Sequence, residues 1–248
     1  MFMVRILLVA ALFPPIYLAR KVWELDRIER EPVGMVRKLF LLGCLSVIPA
    51  LILELLGGNI VKAVFIPGNV YSSDAGMLEI SGKDLAIYNF FEYFFVVALV
   101  EEGVKYLFLR RNTWNSPEFN YRFDGVVYAA MVSLGFAAAE NVEYVMMYGL
   151  SVALVRAVTS IPGHCIFGIF MGCYYGFEKY YERRGDRRAQ ASARVLSLLV
   201  PVLLHGIYDF SLSMGSPVMA LLSFVFMILL DIAGLRRIRR FAAEAVPV

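Results

Sequence analysis

Apolar residues in this chain fall neither in strand-like alternation nor on a single helical face. They form long, nearly unbroken runs, with charged and turn-forming residues gathered between them. Seven runs, at roughly 2–19, 39–56, 87–109, 125–148, 150–177, 195–213 and 217–235, reach or approach the ~20 helical residues that cross a hydrocarbon core. The pattern predicts an all-α polytopic membrane helix bundle of about seven transmembrane helices, with residues 1–248 forming a single integral-membrane domain. The first run holds Pro14 and Pro15 near its middle and has no small-x-small site before Arg20, so it reads as a retained span and not a cleaved signal peptide. Residues 57–86 contain Gly57, Gly58, Pro67, Gly68, Gly76 and Gly82, which predicts a loop of turns and short extended pieces.

Composition excludes the ordinary soluble classes. Hydrophobic residues make up 60% of the 248 positions and charged residues 18%, against ~45–50% and ~25% in soluble domains. Cys44, Cys165 and Cys173 lie inside apolar runs without CxxC spacing, so neither a disulfide framework nor a zinc knuckle is indicated. Net charge is only +3, but nineteen of the 24 Lys and Arg residues sit in four segments: 20–38, 110–122, 178–194 and 236–240. Seven spans put all four on one side, and an even number would scatter them. The positive-inside rule then places the N-terminus outside and the C-terminus in the cytoplasm of a multi-pass cell-membrane protein, with loop 57–86 outside.

Ionisable groups inside spans cost about 2.5–3.5 kcal/mol each on insertion scales and mark functional sites by default. The third span carries Glu101, Glu102 and Lys105; the fourth, Glu140, Asn141 and Glu143; the fifth, His164; the sixth, His205 and Asp209. Both histidines of the protein are among them. At 1.5 Å per residue, Glu101, Glu140, His164 and His205 lie roughly 13, 24, 21 and 16 Å from the basic edge, inside one core and able to meet. Lys105 follows Glu101 by four residues and Glu102 by three, so one ammonium can serve both carboxylates. His205 and Asp209 have the spacing at which a carboxylate orients an imidazole. His164, Gly168 and Gly172 share a face that permits close helix approach. Glu143 and Arg156 read as structural groups near the outer edge, and Glu54 and Asp231 as interfacial.

In order, the chain presents Glu101-Glu102-Gly103-Val104-Lys105, Phe136-Ala137-Ala138-Ala139-Glu140-Asn141, Pro162-Gly163-His164 and His205-Gly206-Ile207-Tyr208-Asp209. Each motif sits on its own span, and together they resemble the PrsW family of bacterial intramembrane proteases. Glu31-Pro32 and Asp124-Gly125-Val126-Val127-Tyr128 resemble the family's flanking segments. The family is similar to the CAAX prenyl proteases, whose second motif ends in His where Glu140 stands here, and to the Aph-1 scaffold subunit of gamma-secretase. The resemblance implies an endopeptidase making the first, extracytoplasmic-side cut in a membrane-anchored anti-sigma factor during a stress response. The implied partners are that single-pass substrate and the lipid bilayer, with no nucleic acid.

Peptide hydrolysis needs an activated water, a proton for the leaving amine and a donor for the oxyanion. Glu101 or Glu102 is the expected base, with His164 or Glu140 assisting. Lys105 would keep one carboxylate ionised. His205, oriented by Asp209, would polarise the carbonyl or protonate the leaving nitrogen, and Asn141 is a candidate oxyanion donor. No HExxH motif is present, so the expectation is chemistry without a cofactor, with zinc held by the same side chains as the alternative. Two other classes share these features: a non-catalytic scaffold of the same fold, and an ion- or proton-coupled transporter. A transporter would show paired repeats in matching halves, and none is visible in the sequence.

Overall fold

The computed structural model describes residues 2–65, 82–244 and 246–248. Among these, helices occupy Phe2–Glu24 (α1), Val33–Phe65 (α2), Gly82–Phe91 (α3), Leu99–Thr113 (α4), Arg122–Tyr148 (α5), Leu150–Val158 (α6), Ser160–Arg183 (α7), Arg187–Ser213 (α8) and Pro217–Glu244 (α9). A π-helical stretch, Glu92–Ala98, joins α3 to α4 into one rod. With α6 and α7 as one broken rod, seven rods result, matching the seven apolar runs. Six are long and apolar enough to cross a membrane by composition. The exception is the α3–α4 rod, which carries Glu92, Glu101, Glu102 and Lys105.

The bundle turns its apolar surface outward. Leu41, Leu55, Leu154, Leu221 and Leu229 are exposed, as a lipid-facing surface requires. The interior belongs to α5, whose residues 123–138 are all buried and which packs against α1, α2, α4, α7 and α9. Small residues make this possible. Gly168, Gly172 and Gly176 of α7 form a seam against α5; a Cβ at Gly172 would overlap the carbonyl of Gly125 and Cα of Val126. Van der Waals packing replaces the hydrophobic effect between helices in lipid, so this close seam carries much of the association. It also fixes His164, one turn before Gly168 on the same face of α7, against α5.

The four basic segments lie at one end of the bundle, joined directly. Arg110 and Arg194 both pair with Glu178 (2.8 and 2.7 Å). Arg122 pairs with Glu244 at 3.0 Å, and the Asn120 amide donates to Glu29 at 2.9 Å.

The structure departs from the sequence reading in three places. Residues 57–65 continue α2 instead of opening a loop, and 82–86 begin α3; residues 66–81 of the expected loop lie outside the described residues. Gly57 and Gly58 break nothing because they face the π-helical stretch, where an added Cβ would stand 3.0 Å from Val96 Cγ1 and from Glu92 Oε1, respectively. The expected fifth span, 150–177, is broken at Thr159, whose φ and ψ of −123° and −81° leave the helical region. The helix restarts at Ser160, so His164 lies near the N-terminus of α7. Finally, α9 extends to Glu244, which places Asp231 midway along it and not near a span end.

Candidate active site

Four rods contribute to one polar cluster buried in this apolar frame. At its centre is Lys105, whose side chain is fully buried. Its ammonium donates to Glu101 Oε2 at 2.9 Å and Glu102 Oε1 at 2.8 Å. It also lies 3.2 Å from His164 Nδ1 and 3.9 Å from the centre of the Phe136 ring. The i, i+3 and i, i+4 spacings of α4 make the first two bonds local, as the sequence predicts. The others require α4, α5 and α7 to meet.

Both imidazoles are held in the same way. His205 Nε2 is 3.0 Å from Asp209 Oδ2, and its Nδ1 is 3.1 Å from Glu102 Oε1. His164 Nε2 is 2.9 Å from Glu140 Oε2, and its Nδ1 faces Lys105. Each ring is thus oriented through Nε2 by an outer carboxylate and turns Nδ1 toward Glu101, Glu102 and Lys105. The rings stand edge to face, 5.2 Å apart, and Phe167 stacks on His205 at 5.0 Å.

Arg156 completes the cluster, and the sequence reading missed its role. Instead of a structural group at the outer edge, it pairs with Glu140 at 2.7 Å, donates through Nε to Asn141 Oδ1 at 3.0 Å, and lies over the Tyr144 ring. A signal was present: Arg156 is the sole Lys, Arg, Asp or Glu between Glu143 and Glu178, and a lone membrane cation needs a buried anion. The oxyanion role expected of Asn141 does not match its position. Its side chain is buried and its Nδ2 donates to the Ala11 carbonyl of α1 at 2.9 Å, so it ties α1 to α5 instead of facing the site.

The cluster floors a cavity of about 460 Å³ that Glu101, Glu140, His164, His205 and Asp209 all line. Glu54, Tyr93, Glu143 and Tyr208 line it as well, which corrects the interfacial reading of Glu54. Glu102 has no exposed surface and does not reach the cavity. The π-helical stretch supplies Tyr93 and Val97 to the wall and packs Phe94 on Gly206, where an added Cβ would come within 2.5 Å of the ring. Local π-helical turns concentrate at functional sites.

Glu101, Glu102, His164 and His205 each offer a ligand atom within 4.8 Å of the others. The donor set fits a divalent metal on three grounds. Imidazole nitrogen with carboxylate oxygen suits zinc. Each histidine has the outer carboxylate partner usual for a metal ligand. Glu102 Oε2 is buried with no hydrogen-bond partner. Charge agrees: four carboxylates (Glu101, Glu102, Glu140, Asp209) face two fixed cations (Lys105, Arg156), and one divalent ion would balance the difference. Lys105 draws on three of the same four residues.

A polytopic helical membrane protein with a buried acid–base cluster at the floor of a cavity has the plan of an intramembrane hydrolase. A family model described as "PrsW family intramembrane metalloprotease" matches residues 31–233. Protease PrsW of Oceanobacillus iheyensis is 32% identical over 234 residues, spanning 94% of this chain and 95% of its own. Protease PrsW of Clostridioides difficile is 33% identical over 221 residues (87% and 83%), and that of Bacillus subtilis 31% over 204 residues (82% and 81%). The chain belongs to the PrsW family of intramembrane proteases. It is therefore a peptide hydrolase and a multi-pass protein of a bacterial membrane. No solved structure matches it.

Proposed function

We propose that the protein makes the first, extracytoplasmic-side cut in a single-pass, membrane-anchored anti-sigma factor, and that Glu101 is its general base. The observation that carries the chemistry is the contrast between the adjacent glutamates. Glu101 reaches the cavity, while Glu102 is sealed against Lys105 and His205. A base must touch the water it deprotonates, so Glu101 takes that role, and Glu102 positions Lys105 and His205. His205, oriented by Asp209, gives a proton to the leaving nitrogen. His164, held by Glu140 and Arg156, faces the same cavity and stabilises the oxyanion. The family resemblance supports the anti-sigma substrate, and the cavity in an otherwise lipid-exposed bundle suits a membrane-anchored segment.

We infer a second reading, in place of the cofactor-free chemistry expected from sequence, in which Glu101, Glu102, His164 and His205 are the ligands of a divalent metal and not the base, acid and oxyanion donor. The metal would supply a Lewis acid for the scissile carbonyl. The four-donor cluster, the unpartnered Glu102 oxygen and the matched family's description as metalloproteases support this reading.

The test is purified protein co-reconstituted in liposomes with an anti-sigma factor of single-pass topology, the fragments being sized by mass spectrometry. A cut on the extracytoplasmic side is expected, with Glu101→Gln, Glu102→Gln and His205→Ala each nearly inactive and the double variants hardly worse, as for residues acting as a unit. On the metal reading, chelation abolishes cleavage and zinc restores it. Cleavage that persists in metal-free protein overturns the metal. Intact substrate alongside an active Glu101→Gln control on another membrane peptide overturns both the substrate and the base.

A further inference from the structure

A second group of acids lies at the basic end of the bundle, in parts of the chain that the catalytic reading does not use. Asp26 and Glu31 come from the α1–α2 loop and Asp124 from the first turn of α5. Asp124 precedes Glu140 by sixteen residues of helix, so the two sites are roughly 24 Å apart. Each of the three acids offers a carboxylate oxygen within 4.8 Å of the others. All three are buried, and among the described residues none makes a salt bridge; Arg30, the guanidinium near Asp26, lies over the Trp23 ring instead.

Backbone amides satisfy only part of the group. Glu31 N–H donates to Asp26 Oδ2 at 3.2 Å, and the N–H groups of Asn120 and Tyr121 donate to Asp124 Oδ2 at 2.9 and 2.6 Å. Two polar atoms are left over. Glu31 Oε2 is buried with no hydrogen-bond partner. Tyr128, one turn along α5 from Asp124, is fully buried, and its hydroxyl approaches Glu31 without forming a hydrogen bond of good geometry. The placement is not accidental slack in a loop, since Trp23 Nε1 donates to the Glu31 carbonyl at 2.8 Å and holds the segment down.

Three buried carboxylates at this separation repel one another, and leaving them charged without compensation is costly. An oxygen-only donor set selects a hard cation over zinc or copper. Oxygens on opposite sides of calcium stand about 4.8 Å apart, and on magnesium about 4.2 Å, so oxygens within 4.8 Å of one another fit calcium as they stand and magnesium after a small contraction. We propose that Asp26, Glu31 and Asp124, with the Tyr128 hydroxyl as a neutral donor, form a second cation site that takes magnesium or calcium and pins the α1–α2 loop to the start of α5. The site is independent of the catalytic cluster and of any metal held there.

The experiment uses full-length protein in detergent, stripped by chelation, in a Glu101→Gln, Glu102→Gln background that disables the other cluster. Terbium serves as the luminescent probe, with Tyr128 and Trp23 positioned to sensitise it. Sensitised emission is expected, displaced by calcium or magnesium, and either ion should raise Tm in the same background. Asp26→Asn and Asp124→Asn should weaken binding roughly tenfold or more. Tyr128→Phe, which keeps the ring and its packing, should weaken it severalfold and serves if the acid variants do not fold. No emission and no rise in Tm overturn the proposal and leave protons as the neutralising species. Emission of unchanged affinity in the Asp124→Asn or Tyr128→Phe protein places the ion elsewhere and also overturns it.

Discussion

Arg156 shows how one side chain can join structure to chemistry. It neutralises Glu140, and Glu140 orients His164. Arg156→Ala therefore leaves a partly buried carboxylate facing only an imidazole. Removing one partner of a buried pair costs about 3–5 kcal/mol, and the cost here should reach the lower end of that range, because both side chains keep some exposure. Thermal unfolding in detergent should show the loss. Arg156→Met combined with Glu140→Gln should recover most of the stability but not the cleavage. A double variant as unstable as the single one would mean that Arg156 acts through its packing on Tyr144 and not through its charge. Glu31 gives a second expectation. Burial, reinforced by Asp124, pushes its carboxyl up to about 8 from the usual 4.5. Asp26, Asp124, Tyr128 and Glu118 face it. The folded state therefore favours the proton, and the associated stability is full below pH 4.5 and disappears as pH climbs to about 8. In chelator, Tm should fall across that window, and Glu31→Gln should flatten the fall. Saturating calcium or magnesium should flatten it too, because the cation takes the proton's place.

The pairing of α5 with α7 rests on contact too close for any side chain at the crossing. Gly172→Ala would drive a methyl group into backbone atoms of Gly125 and Val126, and neither helix can yield without moving the other. Overpacking of this kind costs about 1–3 kcal/mol. Because His164 rides on the same face of α7, activity should fall along with Tm. Gly103→Ala is the matched control. It lies between Glu102 and Lys105 on α4, and an added Cβ there meets nothing within 4 Å. Its Tm should hold or rise, since alanine suits a helix interior better than glycine by about 0.5–1 kcal/mol. Equal losses at both positions would mean that glycine flexibility, and not the α5–α7 seam, is what matters.

The bundle as a unit carries a marked charge asymmetry. The segments at residues 20–38, 110–122, 178–194 and 236–240 meet at one end through the Arg110–Glu178, Arg194–Glu178 and Arg122–Glu244 pairs and the Asn120–Glu29 hydrogen bond. Among the described residues, the opposite end, where α8 turns into α9 at Gly215 and Ser216, has no such cluster. The positive-inside rule puts the basic end in the cytoplasm. Single cysteines at Ser192 and Ser216, introduced after Cys44, Cys165 and Cys173 are removed, should report this. An impermeant thiol reagent applied to intact cells should label position 216 and spare position 192. The reverse pattern would invert the molecule and move the proposed cut to the other side of the membrane.

Hydropathy along the chain was enough for the number of rods, because lipid requires each crossing to be apolar on its own and to bond its own backbone. The same economy exposed Glu101, Glu102, Lys105, His164 and His205, since ionisable groups in such runs have few structural uses. Helical spacing alone gave the bonds from Lys105 to both glutamates and the His205–Asp209 pair. The features that needed the folded molecule are those set by a distant partner. Gly57 and Gly58 look like a turn until the π-helical stretch packs on them. Thr159 is followed by Pro162 and Gly163, a helix-start signal that the unbroken apolar run outweighed. The direction of Asn141 toward α1, the reach of Arg156 to Glu140 and the meeting of Asp26 with Asp124 depend on how helices rotate and cross. Those rotations are chosen by close packing between helices, and one-dimensional periodicity contains no record of which neighbour each face will meet.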